Sequence, residues 1–117
     1  DILAQVLFHD IQKNLDRTIV IDGLRYVAEY TLCRQLANFY LLNITTPLEL
    51  RFQRLAIRQE KSDEATMSYT EFVQREQDVT EQEITVVQPK AHLTIHNTGT
   101  KADLYHAIDQ WLLTLPR

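Results

Sequence analysis

A chain of 117 residues is long enough for one core and too short for two ordinary domains, so a single α/β domain spanning 1–117 is expected. Its 44% hydrophobic and 24% charged residues exclude a disordered or fibrous chain, and a net charge of −4 argues against nucleic-acid binding. No apolar run approaches the ~20 residues of a membrane span, and a lone Cys33 without a signal-peptide pattern makes a reducing, cytoplasmic setting the expectation.

The chain begins at Asp1 without a methionine and goes straight into an amphipathic pattern, which reads as a fragment or processed product. Ile2, Leu3, Val6, Leu7 and Ile11 recur at three- and four-residue spacing and predict a helix over 2–14 with one buried face. Residues 18–22, Thr-Ile-Val-Ile-Asp, are β-prone and end in an acid followed by Gly23. They predict a short buried strand that delivers Asp22 to the carboxyl edge of a sheet, where open α/β sheets bind ligands. Gly23 permits a tight backbone there, and Arg25 adds a permanent cation. A surface turn with a chance ion pair is the competing reading of this octapeptide.

Tyr26, Val27, Tyr30, Cys33 and Leu36 resume helical spacing. The apolar run over 39–44 then fits a strand of a parallel sheet covered on both faces. Thr46-Pro47-Leu48-Glu49 carries a capping residue, a proline for the first helical position and a capping-box glutamate, so a helix should run from there to about Gln59. Residues 60–67 lose periodicity and read as an exposed loop, and Ser68-Tyr-Thr-Glu71 opens another capped helix. The acidic stretch over 76–83 reads only as a solvated helix or turn. Residues 92–96 form a third strand candidate, after which Thr100 can cap a last helix with Leu104, Ile108, Trp111, Leu112 and Leu115 on one stripe. Strands alternating with helices call for a mostly parallel sheet with flanking helices, a three-layer α/β architecture.

Four features bear on chemistry. A carboxylate such as Asp22 at a strand tip can hold magnesium through water when a nucleotide phosphate brings the ion. Arg51, Arg54 and Arg58 fall within a sector of about 60° on one helix, and a cationic stripe leading into a loop suits closure over a triphosphate. A solvated face with weak ion pairs is the alternative. Asn97, Gly99 and Thr100 follow the third strand and offer a bend whose amides and carbonyls can read a purine edge, or form a plain turn. His92 and His96 share a strand face and are weak candidates, but His9 and His106 have no companion at ligand spacing and Cys33 no second thiol, so zinc is not expected, and nothing resembles a hydrolytic nucleophile.

In their order, Ile-Val-Ile-Asp22-Gly23-Leu-Arg25, Arg51-x-x-Arg54-x-x-x-Arg58, Tyr69-Thr-Glu-Phe-Val-Gln-Arg-Glu76 and Ile95-His-Asn97-Thr-Gly99-Thr100 resemble the C-terminal two-thirds of P-loop nucleotide-type kinases, the dephospho-CoA kinase and adenylate kinase-like group. The resemblance covers roughly residues 10–115. It implies a P-loop kinase-like fold, incomplete without its first strand, and ATP with Mg2+ as cofactors. Asp22 would stand beside the magnesium and Arg25 beside a small-molecule phosphate acceptor. Arg54 and Arg58 would be catalytic lid arginines in a lid-like insertion over 58–82, with Arg51 also facing the nucleotide. Asn97, Gly99 and Thr100 would lie against adenine. Ala91-His92 stands where this group usually has Ala-Asp.

The phosphate-cradling Gly-x-x-x-x-Gly-Lys-Ser/Thr is absent, because Gly23 and Gly99 are the only glycines. The chain is therefore expected to represent the acceptor, lid and adenine portions of a phosphotransferase and to be inactive alone. The alternative is a kinase-derived binding or regulatory module whose open strand edges are met by self-association, as a homo-oligomer, or by a missing N-terminal segment.

Overall fold

The computed structural model describes residues 1–61, 66–77 and 79–116. It is a mixed α/β structure with a small two-stranded parallel sheet and flanking helices. The chain divides into two compact units, Asp1–Leu41 with Val73–His92, and Leu42–Phe72 with Leu93–Arg117.

The first unit is helical. α1 (Ile2–Gln12) is capped by Asp1, whose carboxylate accepts from the Leu3 amide at 2.9 Å and the Ala4 amide at 3.4 Å. The face it buries differs from the expected one. Ala4 and Ile11 are buried and Leu7 and Phe8 half-buried, whereas Ile2, Leu3 and Val6 are exposed. The 4-7-8-11 spacing makes its own stripe, and that stripe turns inward because α1 packs on α2 (Val27–Cys33). Cys33 is buried, and α2 also packs on α5 (Val79–Val87). Glu83 joins the pair by accepting from the Val27 amide at 3.3 Å. The acidic stretch left as helix or turn is thus helical from Val79, with Val87 buried at its end and a 3₁₀ turn, Gln88–Lys90, following.

The strand expected over 18–22 does not form. The residues are irregular, Val20 is 87% exposed and Ile19 38%, and no described residue pairs with them. A β-prone sequence becomes a strand only when a neighbour accepts its backbone ladder, and nothing supplies one here. Asp22 is accordingly exposed on an unpaired segment and is not at a sheet edge. The tight turn after it does form, with Gly23 at φ +75°.

In the second unit, β1 (Leu42–Thr45) pairs in parallel with β2 (Leu93–His96), Leu42 opposite Leu93 and Thr45 opposite His96. β1 starts later than the apolar run at 39–44 suggests, because Phe39 and Tyr40 are engaged as rings in the first unit, Phe39 with Tyr30 at 6.3 Å and Tyr40 with His92 at 5.4 Å. Ile44 is 44% exposed, so this strand is not covered on both faces as expected. β2 alternates, with Leu93 and Ile95 half-buried and His92, Thr94 and His96 exposed.

α3 (Leu48–Lys61) and α6 (Lys101–Thr114) begin within a residue of their expected starts, and α4 (Tyr69–Arg75) is capped by Ser68 as its sequence indicates, Ser68 Oγ accepting from the Glu71 amide at 3.2 Å. Phe52 of α3 meets Tyr69 at 5.2 Å, edge-on, and Phe72 at 5.6 Å. On α6, Leu104, Ile108, Trp111 and Leu115 are half-buried as a stripe, while Leu112 is exposed. Among the described residues, the buried apolar ones, Ala4, Ile11, Cys33 and Val87, lie in the first unit. The loop expected over 60–67, and with it much of the lid-like insertion over 58–82, falls in part on residues outside the described ones.

Candidate functional site at the carboxyl ends of the parallel strands

Because β1 and β2 are parallel, both chains leave the sheet at the same end, and the residues just beyond Thr45 and His96 come together there. The Asn97 amide extends the ladder by donating to Thr45 O at 2.7 Å. The Thr46 hydroxyl donates to Asn97 O at 3.2 Å. Thr46 was expected to act as a helix cap; its hydroxyl ties the two strand exits together.

α3 then brings its arginines back over these exits. Arg54 Nη1 donates to Asn97 O at 2.8 Å and Nη2 to Gly99 O at 3.1 Å. Arg51 Nε donates to Thr46 O at 2.9 Å, and its guanidinium carbon lies 6.0 Å from the centre of the Phe72 ring. Spacing of three along a helix sets both side chains on one side, as the sequence indicated. Their partners in this structure are main-chain carbonyls. Arg58, one turn on, is exposed.

The bend itself is held at several main-chain atoms. Thr98 donates its amide to His96 O at 3.0 Å, and the Thr100 amide donates to Asp103 Oδ2 at 2.9 Å. Thr100 Oγ1 accepts from the Asp103 amide at 3.1 Å, completing a reciprocal capping box at the start of α6. The Thr100 amide, and then its hydroxyl, hold the Asp103 carboxyl below the usual carboxylate range, with the nearby His106 adding to the effect. A Cβ built on Gly99 would collide with the Asp103 carboxylate, so any larger residue there would have to displace it from the box. Among the described residues, the Thr98 carbonyl and the Gly99 amide carry no bond.

Asp22 and Arg25 belong to the first unit. Asp22 is exposed, and the Arg25 amide donates to Glu29 Oε1 at 3.3 Å, beside the Tyr26 amide at 3.1 Å. The segment thus runs directly into the capped start of α2. Among the described residues, no three His, Cys, Asp or Glu side chains gather as a metal-binding group. His92, read only as a weak candidate, accepts the Leu41 amide at Nδ1, 2.9 Å away, while its own amide donates to Leu41 O at 2.8 Å. Burial pushes the Cys33 thiol up, with Glu29 adding, which leaves it a poor nucleophile. No described helix is long and apolar enough to cross a membrane.

Sequence reasoning placed Asp22, Arg25, Arg51, Arg54, Arg58, Asn97, Gly99 and Thr100 in one site; the second unit brings Arg54 onto Asn97 and Gly99 beside Thr100, with Arg51 on Thr46, while Asp22 and Arg25 lie in the first unit. It missed Thr46, whose role depends on strand pairing and has no local signal, and Asp103, which the Thr-x-x-Asp spacing from Thr100 could have revealed.

The chain is similar to archaeal UPF0200 proteins. It is 32% identical over 101 residues to the UPF0200/UPF0201 protein of Archaeoglobus fulgidus, an alignment covering 85% of this chain and 31% of that protein. With the UPF0200 protein of Methanothrix thermoacetophila it shares 39% identity over 61 residues, 51% of this chain and 34% of the other. The chain therefore spans about a third of the length of the curated relatives it matches. No family model matches, and no solved structure matches.

Proposed function

We propose that this chain carries the nucleobase, lid and acceptor portions of an ATP-dependent phosphotransferase acting on a small-molecule acceptor. The observation that carries the proposal is the bend at 97–100. It lies beyond the carboxyl ends of two parallel strands, is fixed by Arg54 and the Thr100–Asp103 box, and keeps one amide and one carbonyl unbonded among the described residues. The two belong to one trans peptide and point opposite ways, so a purine edge meets one of them at a time.

In this scheme Asn97, Gly99 and Thr100 form the base end. Exposed Arg58 is the cation of α3 best placed to meet phosphate, with Arg51 bracing Thr46 beside it. A magnesium ion brought by the nucleotide would neutralise charge on the phosphates; the chain's own residues hold and orient. Catalysis requires the phosphate-cradling loop, which this chain lacks.

Calorimetric titration with ATP, adenosine and inorganic tripolyphosphate tests the proposal. Binding of adenosine and ATP without turnover is expected. Absence of binding by all three, or phosphotransfer by this chain alone, refutes it.

A second reading, a self-associating module derived from such an enzyme, is favoured by exposed apolar side chains. Ile2 is 75% exposed, Leu3 76%, Val20 87% and Leu113 70%. A nucleotide-independent, monodisperse oligomer on size-exclusion chromatography supports it, and a monomer at all concentrations removes it.

A further inference from the structure

We infer that Arg54 is a positioning residue for the nucleobase bend and is not a phosphate ligand. The inference rests on the proposed function and assigns a different task to one of the arginines expected to meet the triphosphate.

A guanidinium has its donors in a rigid plane, and two parallel donors select two acceptors at a fixed separation. Arg54 uses its two terminal nitrogens on carbonyls two residues apart, Asn97 O at 2.8 Å and Gly99 O at 3.1 Å. That spacing brackets Thr98. Asn97 O belongs to the 97–98 peptide and Gly99 O to the 99–100 peptide, so the clamp fixes the two units that flank the 98–99 peptide, which carries the unbonded Thr98 carbonyl and Gly99 amide. Asn97 O also accepts from Thr46, so the clamp ties the bend to the exits of both strands. Arg54 is half-buried while Arg58 on the same helix is exposed. A guanidinium committed to two carbonyls would have to release them to grip a phosphate, and Arg58 needs no such exchange. Lysine cannot replace Arg54 in this task, since a single ammonium does not present a planar pair of donors.

The test compares Arg54→Lys, Arg54→Ala and Arg58→Ala with the unmodified chain, using adenosine and inorganic tripolyphosphate as separate probes and amide exchange without ligand. Both Arg54 variants should weaken adenosine binding roughly tenfold and leave tripolyphosphate within about twofold, while Arg58→Ala does the reverse. Without ligand, both Arg54 variants should speed exchange at the Asn97 and Thr100 amides and leave the amides in the middle of α3 and α6 unchanged. A loss of fold would instead lower both affinities together and accelerate exchange throughout.

Equal weakening of both probes in a folded Arg54 variant, or full rescue by lysine, overturns the inference. If the unmodified chain binds neither probe, the proposed function fails and the base-positioning role fails with it. Unaltered exchange at Asn97 and Thr100 in Arg54→Ala removes the clamp on its own, even where both probes bind.

Discussion

The carboxylate of Asp103 fills the space that a methyl group on Gly99 would need. The two residues are a turn apart at the head of α6. The absence of a side chain on one is what lets the other reach back to the Thr100 amide. Gly99→Ala should therefore lower the urea midpoint of the chain. Adding Asp103→Ala to it should cost less than the two single changes combined, because the collision and the box are removed together. Strict additivity of the two changes would contradict the packing described.

The same carboxylate makes a prediction about acid. Its folded pKa lies below the ordinary value, chiefly through the Thr100 amide, so the stability it contributes is fully present above the unfolded carboxylate pKa. It is lost as pH falls through the folded pKa. Urea midpoints of the unmodified chain and of Asp103→Ala should differ at neutral pH and converge below the usual aspartate range. A gap that stays constant across that range would show that the charge on Asp103 contributes nothing.

Phe52 joins α3 to α4 through the rings of Tyr69 and Phe72. The ring is only half-buried, so Phe52→Ala should cost about 2 kcal/mol, below the ~3–5 kcal/mol of a fully buried phenylalanine. Equilibrium unfolding in urea measures it, and a loss under about 0.5 kcal/mol would mean that the aromatic cluster does not hold the helices.

Val20 tests the missing strand. On an unpaired, 87% exposed position, Val20→Lys should change stability by no more than about 0.5 kcal/mol. A loss of several kcal/mol would mean that residues 18–22 are a buried strand after all.

Cys33 should be chemically quiet. Burial raises its pKa and keeps the thiol protonated and covered at neutral pH, so iodoacetamide should label it at least ~10-fold more slowly in buffer than in denaturing urea. Equal rates would place the thiol at the surface.

The elements legible beforehand are those whose causes lie within a few residues. Ser68 and Thr100 announce their helices by side chains that bond amides three positions on, and Gly23 and Gly99 sit where a tight turn or a close carboxylate excludes a Cβ. Helical periodicity located α1 but misjudged its inner face, since which stripe of an amphipathic helix is covered depends on where α2 lies.

By itself, the sequence determined the starts of α1, α3, α4 and α6 and put Arg51, Arg54 and Arg58 on one helix and Asn97, Gly99 and Thr100 on one bend, because caps, spacing and order along the chain are local properties. Only the tertiary structure decided that 18–22 has no strand partner, that Leu42 faces Leu93, and that Arg54 holds main-chain carbonyls. Backbone ladders and guanidinium forks are satisfied by groups some 40 to 50 residues away, as the bonds of Arg54 to Asn97 O and of the Asn97 amide to Thr45 O show, and no local pattern encodes such a partner.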